Sequence, residues 1–196
     1  MDFSILEYIL LKKDVRILCM YSNNYNNYQQ KILRYIFSTN TNIVYTKTIT
    51  MTDIGLYNFI KEAYLTEKFV NVTNKTNATK ANYNNNNYTI NVYVLENNLT
   101  EYSKSGGKHK TELRTIFNNH NAVHISDNND DTIRMAKIIF NENTLKFYNT
   151  IKHDYDSNTI KLFNNYTNMV KNNDNYCIVS SYILNLYKLR KAKDID

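Results

Sequence analysis

An α/β (α+β) fold, a ferredoxin-like split βαβ sheet covered by helices, is predicted by three features of this 196-residue sequence. Strand-like apolar runs alternate with helix-like segments up to Phe140. Their order is strand, helix, strand, helical connection, strand, helices, strand, helix, which is the order a split βαβ sheet needs. The apolar content of 42% over this length supplies one sizeable core plus an appendage.

The run VRILCMY (15–21) is short, apolar and suited to a central strand, and YQQKILRYIF (28–37) places Ile32, Leu33, Ile36 and Phe37 on one helical face. In NIVYTKTITM (42–51), Ile43, Tyr45, Ile49 and Met51 alternate as in a half-buried strand. Thr52 and Asp53 then cap the helix DIGLYNFIKEAY. The stretch NVTNKTNATKANYNNNN (71–87) has almost no apolar content and reads as a flexible, inserted Asn-rich loop. YTINVYVLE (88–96) resumes a strand with Ile90, Val92 and Val94 in step. SGGKHK and TELRTIF follow, then the strand NAVHI and a helix from about Asn128 to Phe140, with Ser126 and Asp127 placed as its N-cap. His109, beside GGK, reads as a loop residue, and SGGK lacks the spacing of a phosphate-binding loop. Two domains follow: 1–149, containing the loop at 71–87, and a helical C-terminal extension over 150–196. In the extension NTIKLFNNYTNMVK and CIVSSYILNLYKLR look like amphipathic helices.

Composition narrows the function classes. With Gly 3, Pro 0 and Trp 0 beside abundant Asn, Tyr, Ile and Lys, the chain carries the bias of an AT-rich genome, as in a virus or an intracellular parasite. The longest apolar runs fall well short of the ~18 residues of a membrane span, and the N-terminus has no basic flank before its apolar stretch. Cys19 and Cys177 are too few for a disulfide framework and too isolated for a zinc site, so the expectation is a cytoplasmic protein without a structural metal or a membrane partner. The net charge of +6 suits polyanions such as nucleotides or nucleic acid, although KLRKAK (188–193), the one dense basic tract, reads as a solvated helix end.

One stretch carries chemistry. LRTIF (113–117) followed by NAVHISD (121–127) resembles nucleoside diphosphate kinase, whose pattern is an arginine before a short loop and then Asn-x-Ile/Val-His-Gly-Ser-Asp opening a helix. VRILCMY, KILRYIFSTNTNIVYTKTITMT and a helix ending in EKF fall where that family has its first strand, first helix, second strand and following helical hairpin, so the resemblance spans residues 15–148. It implies that His124 is a nucleophile that takes the γ-phosphoryl group of a nucleoside triphosphate and passes it to a diphosphate, with Mg2+ accompanying the nucleotide. It also implies that Arg114 clamps phosphate, Asn121 contacts ribose, Ser126 supports the active-site network, Phe69 stacks on the base, and the chain forms a homo-oligomer. Imidazole suits the task because, with a pKa of about 6.5, much of it is neutral and nucleophilic at cell pH.

The departures from the pattern are specific. Met20 stands at the family's first-strand lysine and Tyr21 at its proline; Ile125 replaces the glycine after the histidine, adding bulk; and Met135 replaces the glutamate that orients the ring. Lys104, Lys108 and Lys110 could supply charge, but a lysine does not reproduce a bidentate guanidinium. Two readings follow: a phosphotransferase of this type, and a catalytically degenerate module of the same fold that binds nucleotide, nucleic acid or a protein partner. Asn121, His124 and Ser126 together favour the first; loss of the lysine and the glutamate favours the second.

Overall fold

The computed structural model describes residues 2–12, 14–23, 25–67, 69–84, 86–96, 102–150 and 165. By its internal contacts the chain divides into Met1–Thr150 and Ile151–Asp196. The two helices expected in the C-terminal extension lie outside the described residues.

Within the first unit the elements run α1 (Asp2–Leu11), β1 (Val15–Tyr21), α2 (Tyr25–Ser38), β2 (Asn42–Met51), α3 (Asp53–Ala63), α4 (Val72–Lys80), β3 (Tyr88–Glu96), α5 (Tyr102–Phe117), β4 (Val123–Ile125), α6 (Asn129–Ile139) and α7 (Glu142–Thr150). The four strands form one sheet in the order β2-β3-β1-β4, antiparallel at every pairing. This is the split βαβ arrangement expected: β1-α2-β2 and β3-α5-β4 interleave, and the strand between each pair runs the other way. No helix among the described residues is long and apolar enough to cross a membrane.

β1 is buried along its whole length because both its faces are covered. Side chains alternate across a strand, so Val15, Ile17, Cys19 and Tyr21 enter one core and Leu18 and Met20 the other. The first core is closed by Ile9 of α1, by Leu56, Phe59 and Ile60 of α3, and by Met135, Ile138 and Ile139 of α6. The second is closed by Tyr25, Ile32 and Ile36 of α2 with Leu113 and Phe117 of α5. Each buried Ile, Leu, Phe or Met contributes roughly 1.5–3 kcal/mol relative to exposure.

Several sequence expectations need correction. The alternation over β2 is broken, since Ile43 pairs with Leu95 and Tyr45 with Val94, leaving Val44 as an extra residue. Ile43 therefore packs into the α2–α5 core, whereas Tyr45, Ile49 and Met51 belong to the other. Phe37, assigned to the buried face of α2, is 62% exposed.

The larger correction concerns residues 71–87, read as a flexible loop. Asn71 caps α4 by accepting from the Asn74 backbone N–H at 3.0 Å. Thr76 and Thr79 donate their hydroxyls to the carbonyls of Val72 and Lys75, at 2.8 and 2.9 Å, and are buried. A threonine whose hydroxyl is satisfied by its own helix leaves a methyl group to pack, which a count of apolar residues misses. Tyr83 then anchors the end of the segment in the first core, its hydroxyl donating to the Thr89 carbonyl at 2.8 Å.

Two smaller assignments also change. His109 sits within α5, where its Nδ1 lies 2.6 Å from the Tyr35 hydroxyl. The N-cap of α6 is Asn128, accepting from the Asp131 N–H at 2.9 Å, rather than Ser126 or Asp127. The expected Thr52 cap is present, with its hydroxyl accepting from the Gly55 N–H at 3.1 Å.

Gly55 marks a close approach. A Cβ there would lie 1.9 Å from Oδ1 of Asn149 on α7. That oxygen accepts from the Thr52 N–H at 2.8 Å, while the Asn149 amide donates to the Thr50 carbonyl at 3.2 Å. A single side chain thus ties α7 to the junction of β2 and α3.

Candidate functional site

β4 pairs with β1 so that His124 lies opposite Cys19. Alternation sends Val123 and Ile125 into the α2–α5 core and turns His124 to the opposite face. There the imidazole is 1% exposed and packs against the Tyr64 ring, with centroids 4.6 Å apart and planes at 54°. Neither ring nitrogen has a hydrogen-bond partner. A buried donor or acceptor left unmade costs about 1–3 kcal/mol, so two on one ring call for an explanation.

Cations surround the ring. Burial, followed by the positive charges of Lys110, Lys75, Arg114 and Arg134, holds the His124 pKa well below its ordinary value. The histidine is therefore neutral at cell pH, with one nitrogen carrying a lone pair.

These cations are held in different ways. Lys110, from α5, is 2.5 Å from Asp127, and Arg134, from α6, is 2.5 Å from Asp131. Arg114, in the last turn of α5, directs Nε and Nη2 to the Val123 carbonyl at 3.4 Å, immediately before the histidine. Lys75, from α4, donates to Oδ1 of Asn121 at 2.8 Å and lies 5.2 Å from the centre of the Tyr64 ring. Burial and the neighbouring Arg114 bring the Lys75 pKa down to about 8, against the pull of Glu67. Burial in turn raises the Glu67 carboxyl.

Of the residues singled out in the sequence, His124, Asn121 and Arg114 come together. Asn121 joins the group through Lys75, and its own N–H and carbonyl are fixed by Asn119 and Asn82. Ser126 is buried with its hydroxyl engaged away from the ring, accepting from the Ile17 N–H at 3.0 Å and lying 2.7 Å from the Thr132 hydroxyl. That contact extends the β1–β4 pairing past the histidine. Phe69 is fully exposed, with no wall beside it on which a base could be sandwiched.

Strand parity corrects two of the substitutions. Met20 does not project into this site, because it lies in the α2–α5 core; the β1 residues on the histidine's face are Val15, Ile17, Cys19 and Tyr21, with Cys19 opposite it. Ile125 likewise points away, so its bulk is not beside the imidazole. Met135, standing where an orienting glutamate was expected, is an apolar core residue of α6. Of the lysines proposed to supply charge, Lys110 does so; the side chains of Lys104 and Lys108 lie outside the described residues.

Sequence reasoning missed Lys75 and Tyr64. Lys75 was hidden in the supposed loop; the signal that could have revealed it is Asn71 three residues before Asn74, followed by Thr76 and Thr79 at helical spacing.

Elsewhere, a cavity of about 350 Å3 lies against α2, lined by Tyr25, Gln29, Thr46, Thr48, Asn91 and Tyr93 among others. It does not include His124. Among the described residues no group of three or more His, Cys, Asp or Glu side chains could hold a metal ion.

No protein-family model matches the sequence. No curated protein matches it. Among solved structures, the chain is similar to a transition-state mimic of nucleoside-diphosphate kinase from Borrelia burgdorferi with bound vanadate and ADP, at 13% identity and a TM-score of 0.41, over 75% of this chain and 96% of that one.

Proposed function

We propose that this chain binds a nucleoside di- or triphosphate through the cations around His124, and that His124 carries the phosphoryl group in transit. The observation that carries this reading is a neutral imidazole with both nitrogens unpartnered, set among Lys75, Lys110, Arg114 and Arg134. Such a ring is in its nucleophilic form, and the charge around it suits the oxygens of a transferring phosphoryl group.

In the step proposed, the unprotonated ring nitrogen attacks the γ-phosphorus while the other nitrogen keeps its proton. A P–N bond forms and the bond to the β–γ bridging oxygen breaks, the diphosphate leaving with the electron pair. Attack by a terminal oxygen of the acceptor diphosphate reverses the sequence. Arg114 and Lys75 neutralise the oxygens of the transferring group, and Asn121 fixes Lys75. At 1% exposure, the ring becomes reachable only when the side chains over it, Tyr64 foremost, move aside. Mg2+ is expected to arrive on the nucleotide; among the described residues no group of three or more His, Cys, Asp or Glu side chains could hold it.

A second reading is favoured by the same burial and by the lack of any group orienting the ring: the fold binds nucleotide, nucleic acid or a protein partner without transfer. Incubation with γ-labelled ATP separates the two. Acid-labile, alkali-stable label on the wild type, abolished in His124→Gln, supports the relay. A nucleotide-dependent rise in melting temperature with no label leaves the binding module. No label and no shift would remove both nucleotide readings.

A further inference from the structure

If the site at His124 binds phosphate as proposed above, its cations fall into two kinds, and Lys75 and Arg114 are the two held by neutral acceptors, Arg114 by the Val123 carbonyl at 3.4 Å. Lys110 and Arg134 each face a carboxylate, Asp127 and Asp131. Lys75 is held by a neutral acceptor, the side-chain oxygen of Asn121, and its ammonium lies over the Tyr64 ring that covers the histidine. β1 brings no cation to this face, presenting Cys19 and Tyr21 instead. We propose that Lys75, carried by α4, is the residue that grips the anionic phosphate at His124.

Three features fit this role. Lys75 is half-buried, so its charge acts through less solvent than a surface lysine's would. Asn121 holds it without neutralising it, so a phosphate can displace the amide oxygen without breaking an ion pair. The charges that act on it are Arg114 and Lys110 from α5 and Glu67 after α3; Asp127 and Asp131 act on Glu67, and Arg134 on His124. Positive charge exceeds negative there, and a bound polyphosphate removes the excess. Protonated Lys75 is the binding form, so affinity is full only well below about pH 8 and falls as pH rises through that value.

The test is calorimetric binding of inorganic pyrophosphate to the full chain at pH 7. Lys75→Gln keeps a donor for Asn121 while losing the charge, and should weaken binding roughly 10- to 150-fold, the range for a lost charge-assisted hydrogen bond. Lys75→Arg should stay within a few-fold of wild type, and Lys80→Gln, on the same helix but paired with Asp53, should leave binding unchanged. Thermal unfolding of each variant establishes that it is folded. Wild-type affinity in folded Lys75→Gln, or no pyrophosphate binding by the wild type, overturns the proposal. Labelling by ATP is read separately: Lys75-dependent binding without label sinks only the relay, whereas label that persists in Lys75→Gln with undiminished binding sinks only the role of Lys75.

Discussion

Around the centre of β1 and along β4, the same two strands present opposite chemistry to the two cores. Toward α2 and α5 they show Leu18, Met20, Val123 and Ile125; toward α1, α3 and α6 they show Cys19, Tyr21 and His124, beneath Tyr64 and Tyr83. The first set closes by packing alone. The second buries a thiol, phenols and an imidazole, and burial drives the Cys19, Tyr21, Tyr64 and Tyr83 pKa values up and that of His124 down, so all stay uncharged. Stability alone does not call for that arrangement, because apolar groups of the same volume cost nothing to desolvate. The difference assigns the first face to structure and leaves the second as the place where binding and chemistry are to be sought.

The largest effect that would break this comparison is Met20→Lys. On the α2–α5 face it buries an ammonium among Leu18, Val123 and Ile125, at a cost of several kcal/mol against a total stability of about 5–15. The expected outcome is a marginal or unfolded protein in urea titration, with no gain in phosphohistidine labelling. A folded variant that labels faster would mean that strand parity has been assigned the wrong way round.

Next come two substitutions of neighbouring β4 residues with opposite signs. Ile125→Ala should lower stability by about 2–5 kcal/mol, as a truncated core residue does. His124→Leu should raise it by about 1–3 kcal/mol by removing two unpartnered nitrogens, while abolishing any label. Loss of stability in His124→Leu would show that the imidazole is held by contacts worth more than its desolvation.

The smallest effect is the dependence on pH. The unfolded chain binds a proton at His124 near pH 6.5, and the folded chain only well below it. The contribution of His124 to stability is thus complete above pH 6.5 and is lost as pH falls, at up to about 1.4 kcal/mol per unit. The difference in unfolding free energy between wild type and His124→Leu, measured from pH 7.5 to 5, should widen with that slope in favour of the variant. A constant difference would mean that the folded state can protonate this ring.

How far the sequence could be read follows the same division. Strand order, the Thr52 cap and the in-step Ile90, Val92 and Val94 were legible because each depends on local periodicity or on one short contact. Strand parity was legible only where no residue is inserted: Val44 is an ordinary apolar residue, and nothing in its neighbourhood announces a bulge that turns Ile43 to the other core. α4 was missed because its buried residues are threonines whose hydroxyls are satisfied by their own helix, and because Tyr83 anchors it from beyond its end. His124 was found through its flanking pattern, but its burial beneath Tyr64, which follows α3, and the effect on it of Lys75 from α4 come from residues distant in the chain.

The Gly55–Asn149 contact has a consequence for how the domain comes apart. α7 has no fully buried residue; Leu145 and Tyr148 pack partly buried against the first core, an amide is fitted into space that only a glycine leaves open, and the buried Asn58 amide donates to the Tyr148 carbonyl at 2.8 Å. Because none of its own residues is fully buried, whereas β1 is buried along its whole length, α7 opens at a lower free energy than the sheet. Positions 55 and 149 are sterically coupled. Any side chain gained at 55 evicts the asparagine, and the peeling of one helix, rather than the melting of a core, is the form in which that change would first be felt.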